Sequence, residues 1–139
     1  MSEQSNVDVV KTMYDNFNRG DIPAVLGVID DSVVFTILGS SNVPLTGTRR
    51  GLAGMQQFFS DLANTLQFST FEPRDYIAQG DRVVALVHYA GKNKNTGRSF
   101  DAETAMIWTV RNGKIVNFVE YTDTDQFVRA AQTAGASGA

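Results

Sequence analysis

Val7, Val10, Tyr14 and Phe17 stand three, four and three positions apart, one face of a helix, and Met13 widens that stripe. The polar residues before Val7 predict a frayed start. Asn18-Arg19-Gly20 closes the pattern, with Gly20 suited to the left-handed position after a helix. Asp21 is a ready N-cap for a second, short helix that tolerates Pro23 in its first turn and buries Ile22, Val25, Leu26 and Ile29. Asp30-Asp31 stops it. Ser32 to Leu38 is rich in β-branched and aromatic types and predicts a strand. The turn formers of GSSNVPLTGTRRG follow, a loop long enough to be functional or simply a connector. Leu52, Met55, Phe59, Leu62 and Leu66 then return to helical spacing. Phe58 lies beside them and Gln56, Gln57, Ser60 and Asp61 lie opposite, as in a helix packed on a core.

From Phe68 to Ala78 the pattern is a strand interrupted at Glu72-Pro73. Proline has no N–H for a ladder, so this strand is an edge or is bulged there. After Gln79-Gly80-Asp81, the stretch from Asp81 to Asp123 reads as three antiparallel strands joined by two tight turns. Asp123 and Gln126 have capping-box spacing ahead of a last helix with Phe127, Val128 and Ala131 on its apolar side. The tail TAGASGA has nothing to bury. The order is helix, helix, strand, helix, four strands, helix. It predicts an α+β fold in one domain over 1–139, with its core at 7–131: a curved mixed or antiparallel sheet wrapped as a cone on the N-terminal helices.

Two turns set which side chains meet inside the cone. A two-residue Asn112-Gly113 turn pairs Arg111 with Lys114 and puts Glu120 on the face of Glu103, Ala105 and Ile107. A three-residue turn pairs Val110 with Lys114 and puts Glu120 beside Thr104, Met106 and Trp108. The second is favoured, because the first would bury two carboxylates together. The turn Lys94-Asn95-Thr96-Gly97-Arg98, read the same way, carries His88 to the Thr104/Met106 face; one further bulge would bring Tyr89 there instead. The opposite face, with Ala105, Ile107, Ile115, Val119 and Tyr121, stays apolar without a helix to cover it. That predicts a homodimer through the sheet.

Composition narrows the functional classes. The 139 residues are 42% hydrophobic and 19% charged, with a formal net charge of −3. A weakly acidic domain without a Lys/Arg run is a poor fit to nucleic acid or an anionic membrane. With no Cys and one His, thiolate zinc sites, a cysteine nucleophile and a His-rich metal site are excluded. No apolar run approaches the ~20 residues that span a bilayer. The polar N-terminus does not read as a signal peptide, and the expected location is cytoplasmic. No cofactor is expected.

The Asn18-x-Gly20-Asp21 helix break, Gly47-x-x-x-Gly51 leading to Phe58-Phe59, FEPRDYIAQGDRVV from Phe71, the Gly113-Lys114-Ile115 turn and EYTDTDQF from Glu120 together resemble the nuclear transport factor 2-like (cystatin-like) superfamily. The similarity is to its SnoaL-like and ketosteroid-isomerase-related branch, over about residues 7–131. The resemblance implies the same cone, open at one end and commonly dimeric through the sheet. Ketosteroid isomerase works with an Asp base and a Tyr plus a protonated Asp as donors. Its tyrosine falls at Met13, its base at Thr36 and its second acid at Met106, so all three are replaced, with Tyr14 next to the first. Limonene-epoxide-hydrolase-like members use an Arg and two Asp. The last of these falls at Glu120, an acid here; the others fall near Val87 and Tyr89 and are absent.

Glu120 is therefore the leading candidate: a carboxyl in an apolar hollow is desolvated, which raises its pKa toward that of a general base at neutral pH. Its alternative is a rim carboxylate paired with Arg49 or Arg50. His88 and Tyr14 are its candidate acid/base partners, against structural hydrogen bonding or packing. Met13, Phe17, Phe35, Thr36, Phe59, Thr104, Met106, Trp108 and Phe118 are the candidate ligand-binding residues. Asp123 reads as an N-cap, and Asp101 and Glu103 as solvent- or partner-facing. The expected activity is proton transfer on a small hydrophobic molecule, of isomerase, cyclase, dehydratase or hydrolase type. The alternatives are a non-catalytic binder of such a molecule and a protein-interaction module.

Overall fold

Ser2 accepts the Ser5 backbone N–H at 3.0 Å and starts α1, Glu3–Asn18. The helix therefore begins four residues before the apolar stripe, and the expected fraying is confined by this cap. The computed structural model describes residues 2–132; the tail read as having nothing to bury lies outside them. Val7, Val10, Met13 and Tyr14 are buried as the spacing requires, and Gly20 (φ 75°) turns the chain. Asp21 Oδ1 caps α2, Ile22–Gly27, by accepting from the Ala24 N–H at 3.1 Å.

The first strand starts earlier than its composition indicates. β1 is Ile29–Ile37, so Ile29 is a strand residue and Asp30-Asp31 lie within the strand, not after a helix. The loop that follows ends in a short strand, β2 (Gly47–Arg50), which pairs antiparallel with β1. Next come α3 (Gly51–Thr65), β3 (Leu66–Gln79), β4 (Arg82–Asn93), β5 (Ser99–Arg111), β6 (Lys114–Thr122) and α4 (Thr124–Ala131). Leu66, read as the end of the helix, opens β3. Gln126 does not complete a capping box: its Oε1 accepts from the Asp101 N–H at 3.1 Å, so it ties α4 to β5. Ala130, one place before Ala131, is the alanine of that helix that is buried.

The six strands run in the order β2-β1-β6-β5-β4-β3. All neighbours are antiparallel except β1 and β6, which are parallel. β3 is an edge strand, which accommodates Pro73, and it bulges at Phe68/Thr70 and Pro73/Asp75. Bulges bend and twist a strand; here they curl the sheet over α1 and α3, giving the expected α+β architecture.

The β5–β6 turn differs from the favoured reading. Asn112 (φ 52°) and Gly113 (φ 75°) are both left-handed, and Arg111 pairs with Lys114, so the turn is the two-residue type. Yet Glu120 still faces Met106. The register slips by one between Thr109 and Val110: Ile115 pairs with Val110, while Asn117 pairs with Thr109. Val116 is the extra residue, and this bulge returns the strand to the other face. The two-residue turn, by pairing Ile115 with buried Val110, turns Ile115 inward, where it is fully buried, not onto the outer face as expected.

Candidate functional site

The inward faces of α1, α3 and the curled sheet line a cavity of about 80 Å³. Of the residues singled out in the sequence, Met13, Tyr14, Phe17, Phe35, Phe59, Met106, Trp108, Phe118 and Glu120 line it. Thr36, Thr104 and His88 do not, each for its own reason. Val33, Phe35 and Ile37 point in from β1, so Thr36 points out, its hydroxyl 3.1 Å from that of Thr48. Thr104 is buried on the inner face, but its hydroxyl is spent on the Tyr121 carbonyl at 2.8 Å.

His88 is on the outer face of the sheet. The β4–β5 loop is one residue longer than the three-residue turn expected, since the Asn93 N–H reaches the Arg98 carbonyl and four residues lie between them. His88 consequently pairs with Glu103, and its Nε2 lies 2.8 Å from Asp101 Oδ1. Tyr89, its neighbour, pairs with Ala102 and enters the cavity. This is the alternative the sequence left open, decided by one residue of loop length.

Glu120 is 8% exposed. Loss of hydration raises its carboxyl from an ordinary 4.5 to about 7, and the nearby Tyr89 hydroxyl opposes the rise by favouring the charged form. The Tyr89 hydroxyl donates to Thr122 Oγ1 at 2.7 Å. Thr122, two residues beyond Glu120, also lines the cavity. Tyr14 supplies the other hydroxyl. Trp108 Nε1–H donates to it at 2.8 Å, and it donates to Met106 Sδ at 3.1 Å. Burial holds Tyr14 well above the usual tyrosine range, the Trp108 hydrogen bond opposing, and burial likewise raises Tyr89. Both phenols keep their protons at neutral pH, so the exchangeable proton of this site is that of Glu120.

Around these groups the wall is aromatic. Phe17, Phe68 and Phe71 pack on one another, with Phe17 and Phe71 ring centres 4.9 Å apart. Phe35 stacks on Phe118 at 4.1 Å. Phe127 of α4 closes the far end against Tyr89 and Phe100. Phe127 and Thr122 were missed as lining residues; the i+2 step from Glu120 is the signal that finds Thr122. Arg49 does not pair with Glu120: it donates to the Leu45 carbonyl at 2.9 Å. Among the described residues no three His, Asp or Glu side chains gather to hold a metal ion. Nor is any helix long and apolar enough to cross a membrane.

Comparison with known proteins follows the same lines. The SnoaL-like domain matches residues 10–118. A nuclear transport factor 2-like protein of Burkholderia xenovorans is 33% identical over 95% of this chain and 99% of its own, with a TM-score of 0.86. One from Burkholderia pseudomallei is 28% identical over 96% of this chain and 100% of its own, at 0.85. TerC, co-crystallised with polyporic acid, is 26% identical over 91% of this chain and 97% of its own, at 0.81. Among curated proteins none matches.

Proposed function

This chain belongs to the SnoaL-like family, and we propose that it is a cytoplasmic, cofactor-independent enzyme that transfers a proton on a small, largely apolar substrate held in the cone. The reaction is of isomerase, cyclase, dehydratase or hydrolase type, with Glu120 moving the proton. The observation that carries this reading is the isolation of Glu120. It is the cavity's one acid, and dehydration brings it to about 7, where a carboxyl is half ionised and works as base and acid in turn. Tyr14 serves as the donor. A thioether sulfur is a weak acceptor, so a substrate oxygen displaces Met106 Sδ as the partner of that hydroxyl while Trp108 holds the phenol in place. The aromatic wall keeps water from the transferred proton. TerC supports an organic ligand in this fold, having been crystallised with one.

The test starts from whatever molecule copurifies with the protein, identified by native mass spectrometry. Replacing Glu120→Gln is expected to lower turnover of that molecule ~100-fold or more while it still binds. Unchanged turnover would end the catalytic reading. A second reading, a non-catalytic binder of the same kind of ligand, is favoured by one observation: Glu120 is the one carboxyl among the residues that line the cavity, and His88, its expected partner, lies on the outer face. Binding that survives Glu120→Ala without any product would select it.

A further inference from the structure

The cavity is smaller than the ~150 Å³ void that accepts benzene in a protein interior, yet the function proposed above needs an organic ligand inside. A ligand of that size calls for part of the wall to give way. The helical and sheet walls are tied by backbone ladders. Of the nine residues between β1 and β2, 38–46, Leu38 still donates its N–H to the Glu120 carbonyl at 3.4 Å, whereas 39–46 make no backbone bond to another element among the described residues. Val43 (5% exposed), Pro44 and Leu45 of this segment line the cavity, while Leu38 to Asn42 are exposed.

The segment is bonded chiefly to itself. The Val43 N–H donates to the Ser40 carbonyl at 3.0 Å. The Thr46 hydroxyl lies 3.2 and 3.1 Å from the Ser40 and Val43 carbonyls. Gly39 lets the two ends of the segment close on each other: a Cβ there would stand 2.8 Å from Thr46 Cγ2. Gly47, at φ 116°, stands at its other end with open space around it. Leu45 is held at φ 68°, a left-handed conformation that a leucine does not adopt unaided. What holds it is Arg49. Its Nη1 donates to the Leu45 carbonyl at 2.9 Å, and its guanidinium lies 5.0 Å from the ring centre of Phe58, another wall residue.

We propose that residues 40–46 form a strap that swings as a unit about Gly39 and Gly47 to admit ligand, and that Arg49 latches it shut through the Leu45 carbonyl. This rests on the cavity being the ligand site, but the movement is measurable without substrate or turnover. The chain has no Cys, so a single Val43→Cys thiol reports opening by its reaction rate with iodoacetamide, and Val83→Cys, fully buried in β4, reports opening of the whole core. Adding Arg49→Met keeps the packing on Phe58 and removes the latch. It is expected to speed labelling at position 43 about tenfold, the population change that follows loss of one charged hydrogen bond, with labelling at 83 unchanged. Arg49→Lys is expected to restore part of the protection. Naphthalene uptake, followed by Trp108 fluorescence, is expected to accelerate with the labelling. Equal acceleration at 43 and 83, no acceleration at 43, or naphthalene uptake that is absent or ignores Arg49→Met would each overturn the strap. The acceleration that Arg49→Met produces at position 43 is expected to persist in a Glu120→Gln background, so loss of the catalytic reading and loss of the strap are separate results.

Discussion

Tyr14 on the first helix and Trp108 on β5 meet 94 residues apart in the chain, the indole N–H donating to the phenol oxygen at 2.8 Å with the rings edge to face. This bond anchors α1 to the sheet at the cavity wall and leaves the phenol proton facing only a sulfur. Replacing Tyr14→Phe strands a buried N–H, at a cost of ~1–3 kcal/mol. Urea denaturation reads the loss, and the indole ¹H–¹⁵N resonance moves upfield. In a double-mutant cycle with Trp108→Phe the two losses fall short of additivity by ~1 kcal/mol. Strict additivity would mean that the pair merely touches.

Glu120 makes stability and activity respond to pH in opposite directions. Its folded-state value, about 7, lies above the ordinary 4.5 of an exposed glutamate, so between these values the folded chain binds more protons than the unfolded one. Stability contributed by the protonated group is fully present below about 4.5. It declines as pH rises and is lost above about 7, at ~1.4 kcal/mol per pH unit or ~3 kcal/mol in all. Glu120→Gln is therefore expected to be ~2–3 kcal/mol more stable than the parent at pH 8 and similar to it at pH 4. The base form shows the reverse: kcat/KM rises through about pH 7 to a plateau. Denaturant titrations at the two pH values check the first effect. A variant no more stable at pH 8 would place the carboxyl in bulk water.

The helices and strands were legible because their apolar spacing is regular, as in Val10, Tyr14 and Phe17 or in Leu52, Met55 and Phe59. The choice of face was harder, since it turns on single residues. At Asn112-Gly113 the turn is the shorter one, but the bulge at Val116 reverses its consequence, so Glu120 arrives inside by a different route from the one expected. At Lys94–Gly97 one extra loop residue sends His88 out and Tyr89 in. Nothing local in those residues announces either event; bulge position is set by the curvature the whole sheet needs to close on α1 and α3. The strap was visible as turn formers, but its hold on the cavity depends on Arg49, whose partner is a carbonyl and so leaves no mark in the sequence.

Gly91 marks the tightest approach in the sheet. A Cβ at this position would sit 2.0 Å from the Gln67 carbonyl oxygen, beside the bulge at Phe68/Thr70. The obstacle is backbone, so it cannot rotate away. Gly91→Ala is expected to push β3 outward at a cost of ~1–3 kcal/mol. Because Phe68 and Phe71 on that strand line the cavity, the same change is expected to loosen ligand binding. Denaturation and binding of the copurified molecule read the two effects; a neutral variant would show that β3 is free to shift.

The outer face of the sheet carries two adjoining apolar rows, Ile77–Val84–Ile107–Val119 and Leu86–Ala105–Tyr121, formed by direct cross-strand pairing. Ile77, Leu86 and Tyr121 are 55%, 38% and 51% exposed. Polar rows flank the patch, Arg82–Thr109–Asn117 on one side and His88–Glu103 on the other, and no helix follows α3 in the chain until α4. A second copy of the same face would cover such a patch in the expected homodimer, and a two-fold axis through it would put both copies of a substituted residue into the one contact. Leu86→Glu therefore adds like charges at the contact and is expected to turn a dimer into a monomer with unchanged circular dichroism. Sedimentation velocity decides the matter: a parent protein that is monomeric at micromolar concentration, or a Leu86→Glu variant that remains dimeric, would mean that the copies do not meet through this sheet.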